Sequence, residues 1–149
     1  MDKKKNSVLI VDDEVQNIMV LSDILKADYT IYAVRKGAEV PGVVEKHRPD
    51  LILLDIIMPE TDGFDVIAKL KSHVNTKSIP VIFISGLNDT LSEEKGLFLG
   101  AADYITKPFS PVIVRLRVQN QMQIINLRRE LEAALKTLQT ANISWEENT

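Results

Sequence analysis

Cysteine is absent from this chain of 149 residues, which excludes both a disulfide framework and a thiolate zinc site. Long apolar runs are missing as well: no stretch approaches the ~18 apolar residues that spanning a bilayer requires. The basic amino end, Met1-Asp2-Lys3-Lys4-Lys5, is followed by an apolar run over residues 8–11 that is too short for a signal-peptide core. Charge of one sign is lacking too. The 18 Lys and Arg against 21 Asp and Glu leave a net −3, with no global pull toward nucleic acid or an anionic membrane. A cytoplasmic protein with no membrane partner and no direct nucleic-acid binding is the expectation. Neither an internal repeat nor a low-complexity segment interrupts the chain.

What is present is an alternation. Apolar runs at 8–11, 30–34, 51–54 and 81–84 read as strands, with a weaker fifth at Tyr104 and Ile105. Three of them are nearly continuous in Val, Ile and Leu, as parallel strands covered on both faces require. Helices fit between them. Residues 14–27 place Val15, Ile18, Leu21 and Leu25 on one face at helical spacing. Residues 36–47, with Pro41 in the first turn, 65–72 and 90–99 supply three more. Ser110-Pro111 opens a fifth, a cap residue followed by proline at the first helical position. With 45% hydrophobic residues, the chain can bury one core. Five strand–helix alternations then specify an α/β doubly wound parallel sheet with an appendage.

The appendage has its own period. Ile124, Leu127, Leu131, Ala134, Leu138 and Ala141 are spaced alternately three and four apart, the seam of a coiled coil. The same register traced backward places Arg117 and Asn120 on the seam, where it weakens. Arg128, Arg129, Glu130, Glu132 and Lys136 flank it and read as solvated helix faces. Dimerisation through this helix is the expectation.

The chemistry follows from what stands at the strand ends. Ligands of an open parallel sheet bind at the carboxyl ends of its strands, where strand order reverses. The first strand ends in Asp12-Asp13, the third in Asp55 and the fourth in Ser85; Lys107-Pro108 follows the fifth. Three converging carboxylates repel one another unless a cation sits among them, and oxygen-only ligands suit Mg²⁺. A carboxylate beside such an ion can act as a nucleophile toward phosphorus. A lysine ammonium and a serine hydroxyl are suitable partners for the phosphoryl oxygens.

The ordered set Asp12-Asp13, Asp55-Ile56-Ile57-Met58-Pro59, Ser85 and Tyr104-Ile105-Thr106-Lys107-Pro108-Phe109 resembles the receiver-domain signature of two-component systems, over about residues 8–122. The resemblance implies a flavodoxin-like five-stranded sheet in the order 2-1-3-4-5 with five helices, the last extended as a coiled coil. It implies a receiver domain at 1–122 and a helical extension at 123–149. Asp55 matches the phosphoacceptor. Asp13 matches a direct Mg²⁺ ligand, Asp12 its neighbour acting largely through water, and the Ile57 carbonyl a further ligand. Ser85 matches the hydroxyl that follows the phosphoryl group, and Lys107 the salt-bridging lysine, with a cis bond to Pro108. Tyr104 matches the aromatic switch residue. The implied partner is a sensor histidine kinase or phosphotransfer protein, and the implied role is signalling rather than turnover of a separate substrate. Ile57 and Leu87, two residues beyond Asp55 and Ser85, are apolar and offer no group to orient a hydrolytic water, so self-dephosphorylation is expected to be slow.

Plainer readings stand beside each assignment. Asp12 or Asp13 can cap the first helix, Ser85-Gly86 can be turn chemistry, and Tyr104 can be ordinary packing. Gly86 stands where the family often has alanine, and Gly63 shapes the turn before the third helix. His47 and His73 read as surface histidines, and Trp145 carries no assignment. A haloacid-dehalogenase-type phosphatase would need a second acid where Ile57 stands. A nucleotide or flavin module would need a glycine-rich phosphate loop after the first strand. A phosphorylation-independent adaptor with the same fold remains the third alternative. The chain contains no output module, which reads as a receiver-plus-linker fragment or a stand-alone receiver that dimerises.

Overall fold

The computed structural model describes residues 5–86 and 89–147, with side chains through residue 141. Five parallel strands, β1 (Ser7–Val11), β2 (Thr30–Val34), β3 (Leu51–Asp55), β4 (Val81–Ser85) and β5 (Asp103–Thr106), form one sheet in the order β2-β1-β3-β4-β5. This is the order the sequence resemblance implied. The central strands β1, β3 and β4 are almost wholly buried, whereas the edge strand β2 is largely half-exposed or exposed. The continuous apolar runs thus mark the strands with helices on both faces.

The pleat sorts the side chains into two cores. Leu9, Val11, Ile52, Leu54, Val81 and Phe83 point to one face and pack under α2 (Val40–His47) and α3 (Gly63–Ser72). Val8, Ile10, Leu51, Leu53, Ile82 and Ile84 point to the other, under α1 (Val15–Leu25) and α5 (Pro111–Glu147). Each such side chain contributes about 1.5–3 kcal/mol on burial. On α1 the buried residues are Leu21, Ile24 and Leu25, while Val15 is 46% exposed. The sequence expectation placed Val15 inward, but it is the first residue of α1, ahead of the turns that pack on the sheet, and it is left half-exposed.

Helix boundaries follow their caps. Asp62 accepts the Phe64 N–H at 2.9 Å and starts α3 two residues earlier than the apolar pattern alone suggests. Asp89 accepts the Ser92 N–H at 3.3 Å at the start of α4 (Thr90–Phe98). Pro111 is the first residue of α5, and the Ser110 Oγ accepts the Ile113 N–H at 3.4 Å, as expected from the Ser-Pro pair. Pro41 lies in the first turn of α2, also as expected.

Helix α5 is 37 residues long, about 55 Å at 1.5 Å per residue. Val114, Val118, Met122 and Ile125 bury one of its faces against the sheet. Beyond them, Asn6 and Asn126 exchange side-chain amide hydrogen bonds at 3.2 Å in each direction. Arg129 is more than half exposed, as expected of a solvated face, and from there reaches the carboxylate of Asp50. On the roughly opposite face, at about 3.6 residues per turn, Ile124, Leu127, Leu131 and Leu138 are exposed. Among the described residues, no helix is long and apolar enough to cross a membrane.

Candidate functional site

All strands being parallel, their carboxyl ends share one rim, and the site is built there. The reversal of strand order lies at β1, which has β2 on one side and β3 on the other. Asp12 leaves the end of β1 with its backbone N–H on the Val34 carbonyl at 3.2 Å. Asp55 is the last residue of β3. Neighbouring β1 and β3 are in register from Val8↔Leu51 to Val11↔Leu54, so the next residue on each strand brings Asp12 level with Asp55. One carboxylate oxygen from each of Asp12, Asp13 and Asp55 falls within 4.8 Å of the others.

The three acids are not equivalent. Asp12 is 0% and Asp55 2% exposed, and Asp13 is half-buried. Asp12 Oδ1 accepts the Glu14 N–H at 2.9 Å, while its Oδ2, among the described residues, is buried with no partner. The capping role open to Asp12 is thus limited to this turn, because the residue at the helix boundary is Glu14. Burial pushes the Asp12 carboxyl up to about 6, and the Asp55 charge adds to the shift. The Glu14 N–H, the Lys107 charge and, least, the nearby Asn17 side chain, which is not within hydrogen-bond geometry of Oδ2, offset this only in part. Asp13 is held through its backbone: its carbonyl accepts from Arg35 Nε at 3.2 Å and Nη2 at 3.0 Å. A cavity of about 460 Å³ lined in part by Asp13, Arg35, Lys36, Met58 and Glu60 opens beside the cluster.

Both oxygens of Asp55 are held. Oδ1 accepts the Ile57 N–H at 3.0 Å and Oδ2 accepts from Lys107 Nζ at 3.0 Å. Burial alone would lower the lysine, yet its contact with Asp55 and the charges of Asp55, Asp12 and Glu14 raise it above the ordinary value. Lys107 is placed by β5: its N–H donates to the Ser85 carbonyl at 2.9 Å, and its bond to Pro108 is cis. Ser85, at the end of β4, is 1% exposed, and its Oγ has no partner among the described residues. Two buried, unpaired oxygens at the rim of one charged cluster are costly unless a ligand satisfies them. Ile57 is 68% exposed at the mouth of the site. Leu87 and the side chain of Trp145 lie outside the described residues.

The turn after Asp55 depends on Gly63. A Cβ there would stand 2.3 Å from Ile56 Cα and 2.8 Å from the Asp55 carbonyl oxygen. The Gly63 N–H donates to the Ile56 carbonyl at 3.1 Å, and Ile57 bridges to Asp62. Gly63 therefore does more than shape a turn: it lets α3 start flush against the backbone that carries Asp55. At Gly86 a Cβ would meet nothing within 4 Å among the described residues, so space does not require glycine there. His47 is exposed and stacks on Tyr32 with ring centroids 4.3 Å apart. Tyr104 is half-buried, with its ring 5.8 Å from that of Phe83.

The family model for the response regulator receiver domain matches residues 8–119, a range that takes in all five strands but for Ser7 at the start of β1. The chain belongs to this receiver family. It is 39% identical over 122 residues to a Vibrio cholerae protein named as a probable cyclic di-GMP phosphodiesterase, a match covering 82% of this chain and 28% of that protein. It is 35% identical over 131 residues to the response regulator PleD of Caulobacter vibrioides, covering 85% of this chain and 29% of that one. The chain thus spans less than a third of the length of either relative. Among solved structures, the receiver domain of a signal transduction histidine kinase from Syntrophus aciditrophicus superposes with a TM-score of 0.72 at 34% identity. That likeness covers 79% of this chain and 90% of the other. Receiver domains are the signalling modules of two-component response regulators and interact with histidine kinases or phosphotransfer proteins.

The sequence missed two residues of this region. Arg117, read as a defect in a coiled-coil seam, forks onto Asp103 at 2.9 and 3.0 Å and lies over the Tyr104 ring. Gly96 abuts Phe83: a Cβ there would stand 2.3 Å from its ring. A glycine inside a helical pattern was the one available signal for the second. Nothing in the sequence signals the first.

Proposed function

We propose that this chain is the phosphoacceptor switch of a two-component system and that Asp55 takes the phosphoryl group. The observation that carries the reading is the state of Asp55: buried, with one oxygen on a backbone N–H, the other on Lys107, and an unpartnered Asp12 oxygen beside it. The all-oxygen donor set and that orphaned oxygen fit Mg²⁺, held by Asp12, Asp13, Asp55 and the Ile57 carbonyl. Bound there, the ion would neutralise charge on the transferring group.

An Asp55 oxygen attacks phosphorus on a phosphohistidine of the partner kinase or phosphotransfer protein. The new O–P bond forms as the P–N bond breaks, and the imidazole leaves with the electron pair. Lys107, released from its present contact with the free carboxylate, follows a phosphoryl oxygen. Ser85 Oγ donates to another and so gains the partner it lacks. Its movement vacates space for the Tyr104 ring, and the face formed by α4, β5 and α5 changes shape. The helix α5 carries that change into the extension, where the exposed stripe from Ile124 to Leu138 pairs two copies of the chain. Phosphorylation shifts the populations by its differential interaction with the two states. The apolar Ile57 at the mouth makes self-dephosphorylation slow, and Ile57→Asn shortens the phosphate half-life.

The test is intact mass after incubation with acetyl phosphate, with and without Mg²⁺, on the wild type and Asp55→Asn. One phosphoryl adduct on the wild type alone, dependent on Mg²⁺, is the expected result. No adduct on the wild type, together with no detectable Mg²⁺ binding, would sink the switch and leave a phosphorylation-independent adaptor.

A further inference from the structure

Gly96, Phe83, Tyr104 and Arg117 lie in one file that runs from α4 across β4 and β5 to α5. The Phe83 ring rests against the backbone of α4, because Gly96 has no Cβ to hold it off. That ring meets the Tyr104 ring at 5.8 Å between centroids, tilted by 31°. On α5, the guanidinium carbon of Arg117 lies 5.5 Å from the Tyr104 ring centroid. Arg117 Nη1 donates to both oxygens of Asp103, and Asp103 Oδ1 also accepts the Tyr104 N–H at 2.9 Å. One carboxylate therefore holds both the backbone of Tyr104 and the cation that sits by its ring.

We propose that Arg117 is a positioning residue for Tyr104, its guanidinium held by Asp103 so as to keep the tyrosine ring in the rotamer seen here. The proposal deepens the switch reading of Tyr104 given above and rests on it for its signalling meaning. A cation within about 6 Å of a ring centroid attracts the ring's negative face. When the ring turns, it must leave that cation. Arg117 belongs to α5, so the rotamer of Tyr104 and the seat of α5 share one contact. The tyrosine can then act on the output helix directly, without a prior movement of α4. An arginine serving only as a partner for Asp103 would reach Tyr104 solely through the backbone N–H that this carboxylate holds, and Asp103→Asn would then move the ratio at least as far as Arg117→Ala.

The experiment is NMR on the whole chain with labelled tyrosine, measuring the χ1 populations of Tyr104 with and without beryllofluoride and Mg²⁺. The variants are Arg117→Ala, Arg117→Lys and Asp103→Asn. Without beryllofluoride, Arg117→Ala is expected to shift the rotamer ratio about two- to five-fold, the range of a cation–ring contact near the surface. Arg117→Lys, which keeps a cation on the same stem, restores most of the shift. Asp103→Asn frees the arginine and moves the ratio the same way by less. Wild-type ratios in both Arg117→Ala and Asp103→Asn would overturn the proposal, as would a lysine variant indistinguishable from alanine. Should Arg117→Ala not fold, a wild-type ratio in Asp103→Asn overturns the proposal on its own. A wild-type ratio unmoved by beryllofluoride would instead remove the switch reading, while the arms without beryllofluoride still decide the role of Arg117.

Discussion

Arg129 of α5 is paired with Asp50, the residue just ahead of β3, at the pole of the sheet opposite Asp55. Asp50 also accepts the Ser7 N–H at 2.7 Å and a hydrogen from Asn6 Nδ2 at 3.3 Å, so the start of β1 and the long helix meet on one carboxylate. The same two central strands carry the helix anchor at one end and the acidic cluster at the other.

The Asp50 anchor has a pH signature. Burial would raise this carboxyl, but Arg129, the Ser7 N–H and Asn6 together hold it below its ordinary value of 3.8. A carboxyl lowered in the folded state stabilises above its unfolded pKa and loses that contribution as pH falls through the folded one. Asp50→Asn is therefore expected to cost about 1–2 kcal/mol at neutral pH, a deficit that shrinks steadily below pH ~4. Arg129→Ala, whose side chain is more than half exposed, costs less, about 0.5 kcal/mol. Urea denaturation at pH 7 and pH 3 measures both.

Gly63→Ala places a methyl group 2.3 Å from Ile56 Cα and 2.8 Å from the Asp55 carbonyl oxygen. Neither neighbour is the flexible end of a side chain, so the turn after Asp55 must move. The expected cost is about 2–3 kcal/mol, with slower phosphoryl uptake because the Ile57 N–H shifts off Asp55. Denaturation and the rate of adduct formation from acetyl phosphate report the two effects separately.

Asp12→Asn removes one charge from a pair of buried acids. Without divalent cation at neutral pH, the variant should be more stable than the wild type, by about 1 kcal/mol or 2–4 °C in Tm for a chain of this size. The wild type should gain stability on adding Mg²⁺, and the variant should gain little. A thermal melt with and without Mg²⁺ tests the pair of expectations; a variant that is less stable without the ion and responds normally to it would remove Asp12 from the cation site.

Leu127→Glu with Leu131→Glu changes two exposed residues of the helix extension. The pairing proposed for this stripe, followed by sedimentation with and without beryllofluoride, should be lost. The unfolding free energy of the monomer should stay within about 0.5 kcal/mol of the wild type. A dimer that survives both charges would move the self-association surface elsewhere.

The acidic cluster was legible because parallel strands end on one side, so residues read at the ends of separate runs must meet. Asp12, Asp13, Asp55, Ser85 and Lys107 all gather at that rim. The runs themselves were legible where strands are covered on both faces, and less so at β5, whose four residues include the polar Asp103 and Thr106. What stayed hidden depends on distances no pattern encodes. Arg117 meets Asp103 across 14 residues and Arg129 meets Asp50 across 79. A heptad register treats both arginines as surface or as defects. Gly63 looks like any turn glycine until Ile56 is seen against it.

Helix α5 answers to two sets of constraints that do not overlap. Its inward residues Val118, Met122 and Ile125 are fixed by the core they fill. Its outward stripe from Ile124 to Leu138 is about half to two-thirds exposed and belongs to neither core. Substitution along that stripe is expected to leave folding and the acidic pocket nearly unchanged. The two faces of one helix can therefore be altered independently, one without disturbing the other.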